Sequence, residues 1–331
     1  VSGVGLHTGE EVSLTFKPAP ENHGFKFKRI DIESHPIIDA DVDNVVDTSR
    51  GTTIEKDGIR IQTIEHTLAA IAGIGLDNVL IEINCIETPI MDGSARSFVE
   101  ALLYVGIQEQ NANKDYYEIK SHLTYSNAEK KSEMLAIPSS EGLKYHVMID
   151  YETSVLGCQY FSSIINQNTF VNELSNSRTF VFLHELEYLL TNNLIKGGDL
   201  NNAIVFVDRI IKNEELDYLA HWFKRPKVEV LKEGILNNVE LRYSNEPARH
   251  KALDLIGDLA LIGVPLKGHI IANRPGHYSN VQFAKKIKQQ IKIDKAKSLI
   301  PIHFPDKTPL FDINQIKSIL PHRPPFLLVD K

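Results

Sequence analysis

Cysteine is scarce in this 331-residue chain, which has only Cys85 and Cys158, far apart. That excludes a disulfide scaffold and a Cys-x-x-Cys metal or redox site, and it points to a reducing, cytoplasmic compartment. Long apolar runs are missing too. The longest, Leu259 to Leu266, is broken by Gly and Pro and falls far short of the roughly 18 residues that span a bilayer, so no transmembrane segment is expected. Nor is there an excess of basic charge. Lys and Arg number 36 against 43 Asp and Glu, a formal charge of -7, which disfavours nucleic acid as a partner. The chain opens at Val1 without Met or a basic-then-apolar leader, the pattern of a trimmed start rather than a signal peptide. What is present is ordinary globular composition, 42% hydrophobic and 24% charged, with room for two domains of roughly 150 residues.

Val12 to Phe16 alternates apolar with polar and Lys26 to Ile32 partly does so, giving a β-rich start. From Ile61 the period becomes helical through Ile64, Leu68 and Ile71, until Gly73-Ile74-Gly75 closes the run. A strand over Asn78 to Ile83 follows, then a turn at Met91 to Ser94 and a helix over Ala95 to Leu103 with Ser94 as its N-cap. The polar stretch 108–115 reads as a linker between a first domain, 1–107, and a second, 116–293. In the second domain strands fill Tyr117 to Tyr151, a helical stretch precedes Thr179 and irregular sequence comes next. Helices return over Glu246 to Ile262 and Tyr278 to Ile291, with a strand over Lys267 to Ala272 between them. Helix, Gly, strand, small-residue turn, helix thus occurs in both halves, which predicts two similar α+β units packed together. Residues 294–311 read as a second linker.

On the helix after Glu246, His250, Asp254, Gly257 and Asp258 stand at i, i+4, i+7 and i+8 and share one face. On an ordinary helix such a stripe faces water. Here Leu253, Leu255, Ile256, Leu259 and Leu261 make most of the helix apolar, so the stripe needs partners, and a metal is one. Two ligands are one short of a catalytic zinc site, which takes three protein ligands plus water. Thr63-Ile64-Glu65-His66 offers the third. Glu65 and His66 diverge by about 100° and can hold different jobs, while His66 shares its face with Ala69, Ala70 and Gly73, small enough to admit another helix. A helix-start His beside a dipole-favoured Glu is the competing reading of these two residues. His277 follows a Pro-Gly turn directly before a helix, where loops commonly carry function. His23, His35, His122, His146, His184 and His221, in polar contexts or strands without a ligand-like partner, read as surface groups.

Six stretches in order, Ser2-Gly3-Val4-Gly5-Leu6-His7-Thr8-Gly9, Thr63 to His66, Pro89-Ile90-Met91-Asp92-Gly93-Ser94, Ser177-Arg178-Thr179-Phe180, His250 to Asp254 and Gly276-His277, carry a family resemblance. Together, over roughly residues 1 to 293, they resemble the UDP-3-O-acyl-N-acetylglucosamine deacetylases, the zinc amidases of lipid A synthesis. The resemblance implies two α+β domains with helices between two sheets and the active site at their junction. It implies zinc held by His66, His250 and Asp254, Glu65 as general base for the attacking water, and His277 as acid, kept charged by Asp258. It further implies Thr179 as oxyanion donor, Lys251 and Phe180 as substrate contacts, Tyr151 stacked on uracil, and Lys131 and Arg274 at the diphosphate. Leu186, Leu200 and Val205 match positions of an acyl channel, although core packing accounts for them equally well. The partner is then a small molecule, the UDP-linked acylated sugar, and this part of the chain is expected to be monomeric.

Three departures stand out. The segment between Asp208 and Glu246 is long, and His184-Glu185 stands where the family shows a basic residue before Asp. The tail from Asp312 through Leu320-Pro321-His322-Arg323-Pro324-Pro325-Phe326 to Lys331 resembles the start of a 3-hydroxyacyl-carrier-protein dehydratase of hot-dog fold. A natural fusion of two enzymes, here cut short, is the expectation, with oligomerisation available through the missing dehydratase part. Two rivals remain in view: a zinc amidase on another N-acetylated sugar, and a nucleotide-sugar binding module without catalysis. The apolar positions of the insert oppose the first, and the complete set of Glu65, His66, His250, Asp254 and His277 opposes the second.

Overall fold

The computed structural model describes residues 1–230, 234–237, 239–298, 311 and 313–321. Its first half runs β1 Ser2–Val4, β2 Glu11–Pro18, β3 Phe25–Arg29, β4 Ile37–Asp39, β5 Val45–Asp47, β6 Thr53–Lys56, β7 Ile59–Ile61, α1 Glu65–Gly73, β8 Val79–Ile83 and α2 Arg96–Val105. The second runs β9 Tyr117–Glu118, β10 Leu123–Asn127, β11 Ser132–Ile137, β12 Leu143–Asp150, β13 Cys158–Ile164, α3 Gln167–Thr169, β14 Phe180–Phe182, α4 Leu183–Thr191, β15 Ile204–Phe206, α5 Asn213–Trp222, α6 Glu246–Ala260, β16 Leu266–Asn273 and α7 His277–Ser298. The chain divides into two compact units, residues 1–289 and residues 290–331. In that second unit the described chain completes α7 and forms α8, Ile313–Ile319.

The two halves repeat one topology. The first sheet has the order β1-β2-β8-β3-β4 and the second β10-β11-β16-β12-β13. In each, the central strand, β8 or β16, lies antiparallel to one neighbour and parallel to the other. Alternation in the strands buries one face of each sheet, through Val12 and Leu14 on β2, Ile81 and Ile83 on β8, and Ile270 and Ala272 on β16. Between these apolar faces lie α1 and α6, packed on each other. Their approach is very close, because a Cβ at Gly257 of α6 would stand 2.1 Å from the carbonyl oxygen of Glu65 on α1. The expected α+β layering, helices between two sheets, is the architecture of the chain.

Several expected details differ. Ile61 ends a strand, and α1 begins at Glu65 because Thr63 takes φ 59°, which breaks the chain out of β7. At the other end Gly75, at φ 84°, closes the helix with the Leu76 N–H donating to the Ile71 carbonyl. At Gly73 the space a Cβ would take is filled by the ring of Phe170, the first residue of a π-helical turn over Phe170–Leu174. Helix α2 starts at Arg96, one residue later than expected, and the Ser94 hydroxyl accepts from the Arg96 N–H, the bond of a capping serine, while donating to Asp92. The stretch after Thr179 is not irregular, since β14, α4, β15 and α5 form there around an apolar cluster of their own. Helix α7 continues past Ile291 to Ser298. Asp312 and residues 322–331, which carry most of the dehydratase resemblance and include His322, lie outside the described residues, as does Lys232-Glu233 of the extended segment.

Candidate active site

The first turn of α1 and the middle of α6 meet where the helices are closest. His250 and Asp254 stand one turn apart on α6 and His66 comes across from α1, its Nε2 3.5 Å from Asp254 Oδ1. His250 Nε2 is 3.2 Å from the same oxygen. The two imidazoles sit edge to face with centroids 5.0 Å apart. Nδ1 of His250 lies 3.0 Å from the Ser177 carbonyl, and since a carbonyl only accepts, that nitrogen carries the proton and Nε2 presents a lone pair. Burial lowers the pKa of His250, outweighing Asp254, so the ring is held neutral. Burial alone would raise Asp254, yet the Lys251 ammonium beside it holds its carboxyl well below the usual range.

These side chains fit a metal. Asp254 Oδ1 is buried and accepts no hydrogen bond although two nitrogens face it. A convergence of lone pairs without donors is costly unless a cation satisfies it. Among the described residues, His66, His250 and Asp254 are the group whose ligand atoms, all within 4.8 Å of one another, could share one ion. Two imidazoles and a carboxylate form a donor set that suits zinc.

Glu65, beside His66, turns away from that convergence. Its Oε2 accepts from the Thr52 N–H at 2.9 Å, and its Oε1 lies 4.0 Å from His277 Nε2. His277 is the first residue of α7. Its Nδ1 donates to Asp258 Oδ2 at 2.9 Å, which leaves Nε2 facing Glu65 and Asp254. Burial by itself would lower the pKa of this imidazole, but Asp258 and Glu65 outweigh it and hold the value at about 9. Asp258, fully buried, is in turn held by Thr52 and Asn280.

The other expected residues fall into three groups. Lys251 donates to Asp254 Oδ2 at 2.9 Å and lies 5.7 Å above the Phe180 ring, which meets Tyr151 edge-on at 5.7 Å. Phe180 also approaches His250, with centroids 6.4 Å apart. Thr179 sits between Ser177 and this aromatic group, its N–H bonded to the Gly93 carbonyl and its own carbonyl to the Ile204 N–H. Lys131 and Arg274 come together, but on carboxylates: both bond Glu152, and Arg274 also bonds Asp150. Leu186, Leu200 and Val205 are buried together in the apolar cluster beneath α4 and α5. Two of the histidines read as surface groups have polar neighbours, His146 with His269 at 2.8 Å and His184 with Asp208 at 2.5 Å.

Sequence reasoning missed the supports. Glu246, fully buried at the start of α6, accepts from the Arg178 backbone N–H and guanidinium, which clamps Ser177 to Phe180 onto the helix and so orients His250. Glu87, also fully buried, accepts from the backbone N–H groups of His7 and Thr8 and from the Thr63 hydroxyl, tying the N-terminal loop to the turn that launches Glu65 and His66. Arg178 stood inside a recognised motif, but no periodicity marks Glu246, Glu87, Thr52 or Asn280.

Comparison with known proteins gives the family. Residues 1–228 and 224–289 match the family model described as LpxC: UDP-3-O-acyl N-acetylglycosamine deacetylase. The chain belongs to this deacetylase family. A UDP-3-O-acyl-N-acetylglucosamine deacetylase of Saccharophagus degradans is 40% identical over 87% of the chain and 88% of its own length. Two proteins named bifunctional enzyme LpxC/FabZ, from Bacteroides thetaiotaomicron and Chlorobaculum tepidum, are 44% and 46% identical and match the whole chain, each over 71% of its own length. The deacetylase similarity therefore covers both sheets and α1, α6 and the start of α7, and similarity to the fusion enzymes continues through the tail. Among the described residues of this deacetylase, no helix is long and apolar enough to cross a membrane.

Proposed function

We propose that the chain hydrolyses the N-acetyl group of UDP-3-O-(3-hydroxyacyl)-N-acetylglucosamine, releasing acetate and the free amine, an early committed step of lipid A biosynthesis in the cytoplasm. His66, His250 and Asp254 would hold a zinc ion, which when bound supplies Lewis-acid polarisation of the amide and of water. Glu65 takes the proton of the attacking water; it lies beside the ligand set without belonging to it, which suits a base. His277, protonated through Nε2 and anchored by Asp258, stabilises developing negative charge and delivers a proton to the departing amine. The Thr179 hydroxyl donates to the oxyanion. Lys251 and Phe180 meet the sugar, Tyr151 the uracil, and Lys131 and Arg274 the diphosphate once substrate competes with Asp150 and Glu152 for them. Leu186, Leu200 and Val205 contribute to an acyl path. Residues 1–107 and 116–293 are the two deacetylase domains, monomeric by themselves, and the stretch from 312 is the start of a dehydratase part.

The observation that carries this reading is the buried, donorless Asp254 Oδ1 facing two imidazole nitrogens, with a carboxylate and a raised-pKa imidazole alongside. The test is release of acetate from the UDP-acyl-sugar by purified protein, its loss on chelation and its return with one equivalent of zinc. Full activity in chelator, or no activity with zinc restored, would overturn it.

A further inference from the structure

Thr52 spends every polar group it has on the catalytic carboxylates or on the turn that presents them. It is fully buried, immediately before β6. Its N–H donates to Glu65 Oε2 at 2.9 Å, its carbonyl accepts from the Ile64 N–H at 3.2 Å, and its hydroxyl donates to Asp258 Oδ1 at 2.5 Å and lies 3.4 Å from His277 Nδ1. Asp258 Oδ2 is left for His277 and Asn280. One residue thus touches the base through its backbone and, through its side chain, the anchor of the acid and more distantly the acid itself. Glu65 belongs to the first half of the chain and Asp258 to the second, so this is also a tie across the junction. The preceding residue explains how the contact fits: Gly51 has φ 147°, and a Cβ there would stand 2.9 Å from Glu65 Oε1.

Resting on the deacetylase reading, we propose that Thr52 is a positioning residue that sets the separation of base and acid, its hydroxyl holding Asp258 in the orientation that aims His277 Nε2 at the reacting atoms. A buried carboxylate with one donor fewer turns toward those that remain. His277 follows Asp258, while Glu65 stays in place on the unchanged backbone N–H. Substrate affinity is then preserved and turnover is lost.

Thr52→Val removes the hydroxyl at nearly constant volume, and Thr52→Ser restores it. With the UDP-acyl-sugar as probe, kcat of Thr52→Val should fall about 10- to 100-fold, a share of the usual contribution of a positioned acid, with KM within about twofold and bound zinc unchanged. Thr52→Ser should return kcat to within about threefold of the parent. In an Asp258→Asn background, adding Thr52→Val should cost less than about threefold, because the route through Asp258 is already cut. Where Val lowers the melting temperature enough to confuse the reading, Thr52→Ala is used in its place. Parent-like turnover in the variant lacking the hydroxyl, no rescue by Ser, or the full loss repeated in the Asp258→Asn background would each overturn the proposal. An inactive parent would instead overturn the deacetylase reading itself.

Discussion

The junction between α1 and α6 and the cluster beneath α4 and α5 are both buried, and they are built from opposite materials. At the junction Glu65, His66, His250, Asp254 and Asp258 are nearly inaccessible, and every one has a named polar neighbour. In the cluster Leu183, Leu186, Leu190, Leu200, Val205 and Leu219 are buried hydrophobic side chains packed together. Burying charge is costly unless it is paired, so the junction sacrifices stability for a reactive arrangement, whereas the cluster is ordinary packing that stabilises the insert. A change at the junction should therefore show itself in metal content or rate, and a change in the cluster in melting temperature.

The sharpest contrast should come from His250→Ala, which removes one of three ligands. Metal content and deacetylation should both be lost, while the fold survives. Metal analysis beside circular dichroism checks this, and a variant that kept its metal and its activity would break the comparison at its centre. Glu65→Gln should be nearly as damaging in rate, by roughly 10² or more, yet leave metal in place, since Glu65 turns toward Thr52 and His277 rather than the ligand set.

A pH profile sharpens the comparison further. With Asp258 and Glu65 holding His277 at about 9, the imidazolium persists through neutral pH and is lost as pH rises through that value. The basic limb of kcat/KM should lie near pH 9, and His277→Ala should flatten it at a rate already reduced by roughly 10². An unchanged basic limb would remove His277 from the acid role. The smallest effect on chemistry is expected from Leu186→Ala. It should cost about 2–5 kcal/mol of stability through the cavity left behind, with kcat at saturating substrate within about twofold of the parent. A rise in KM confined to long-chain acyl substrates would assign the same side chain to the acyl path as well.

What the amino-acid sequence determined by itself is local and periodic. The His250, Asp254 and Asp258 stripe was legible because residues of one helix keep a constant angular relation, and the repeated helix-strand-helix order was legible because each unit encodes its own pattern. The ordered motifs carried the family in the same way. The close seating of α6 on α1, which brings His66 to Asp254, was decided only by the tertiary structure, through a Gly257 that lets the backbone of Glu65 approach. So were the Ser177 carbonyl that sets the tautomer of His250, the Glu246 clamp on Arg178, and Thr52 between Glu65 and Asp258. These contacts join residues far apart in the chain, and a lone Thr or Glu carries no periodicity to announce its partner. The same reason hid the carboxylate that Lys131 and Arg274 share: Glu152 reaches both only once β12 is paired beside β16.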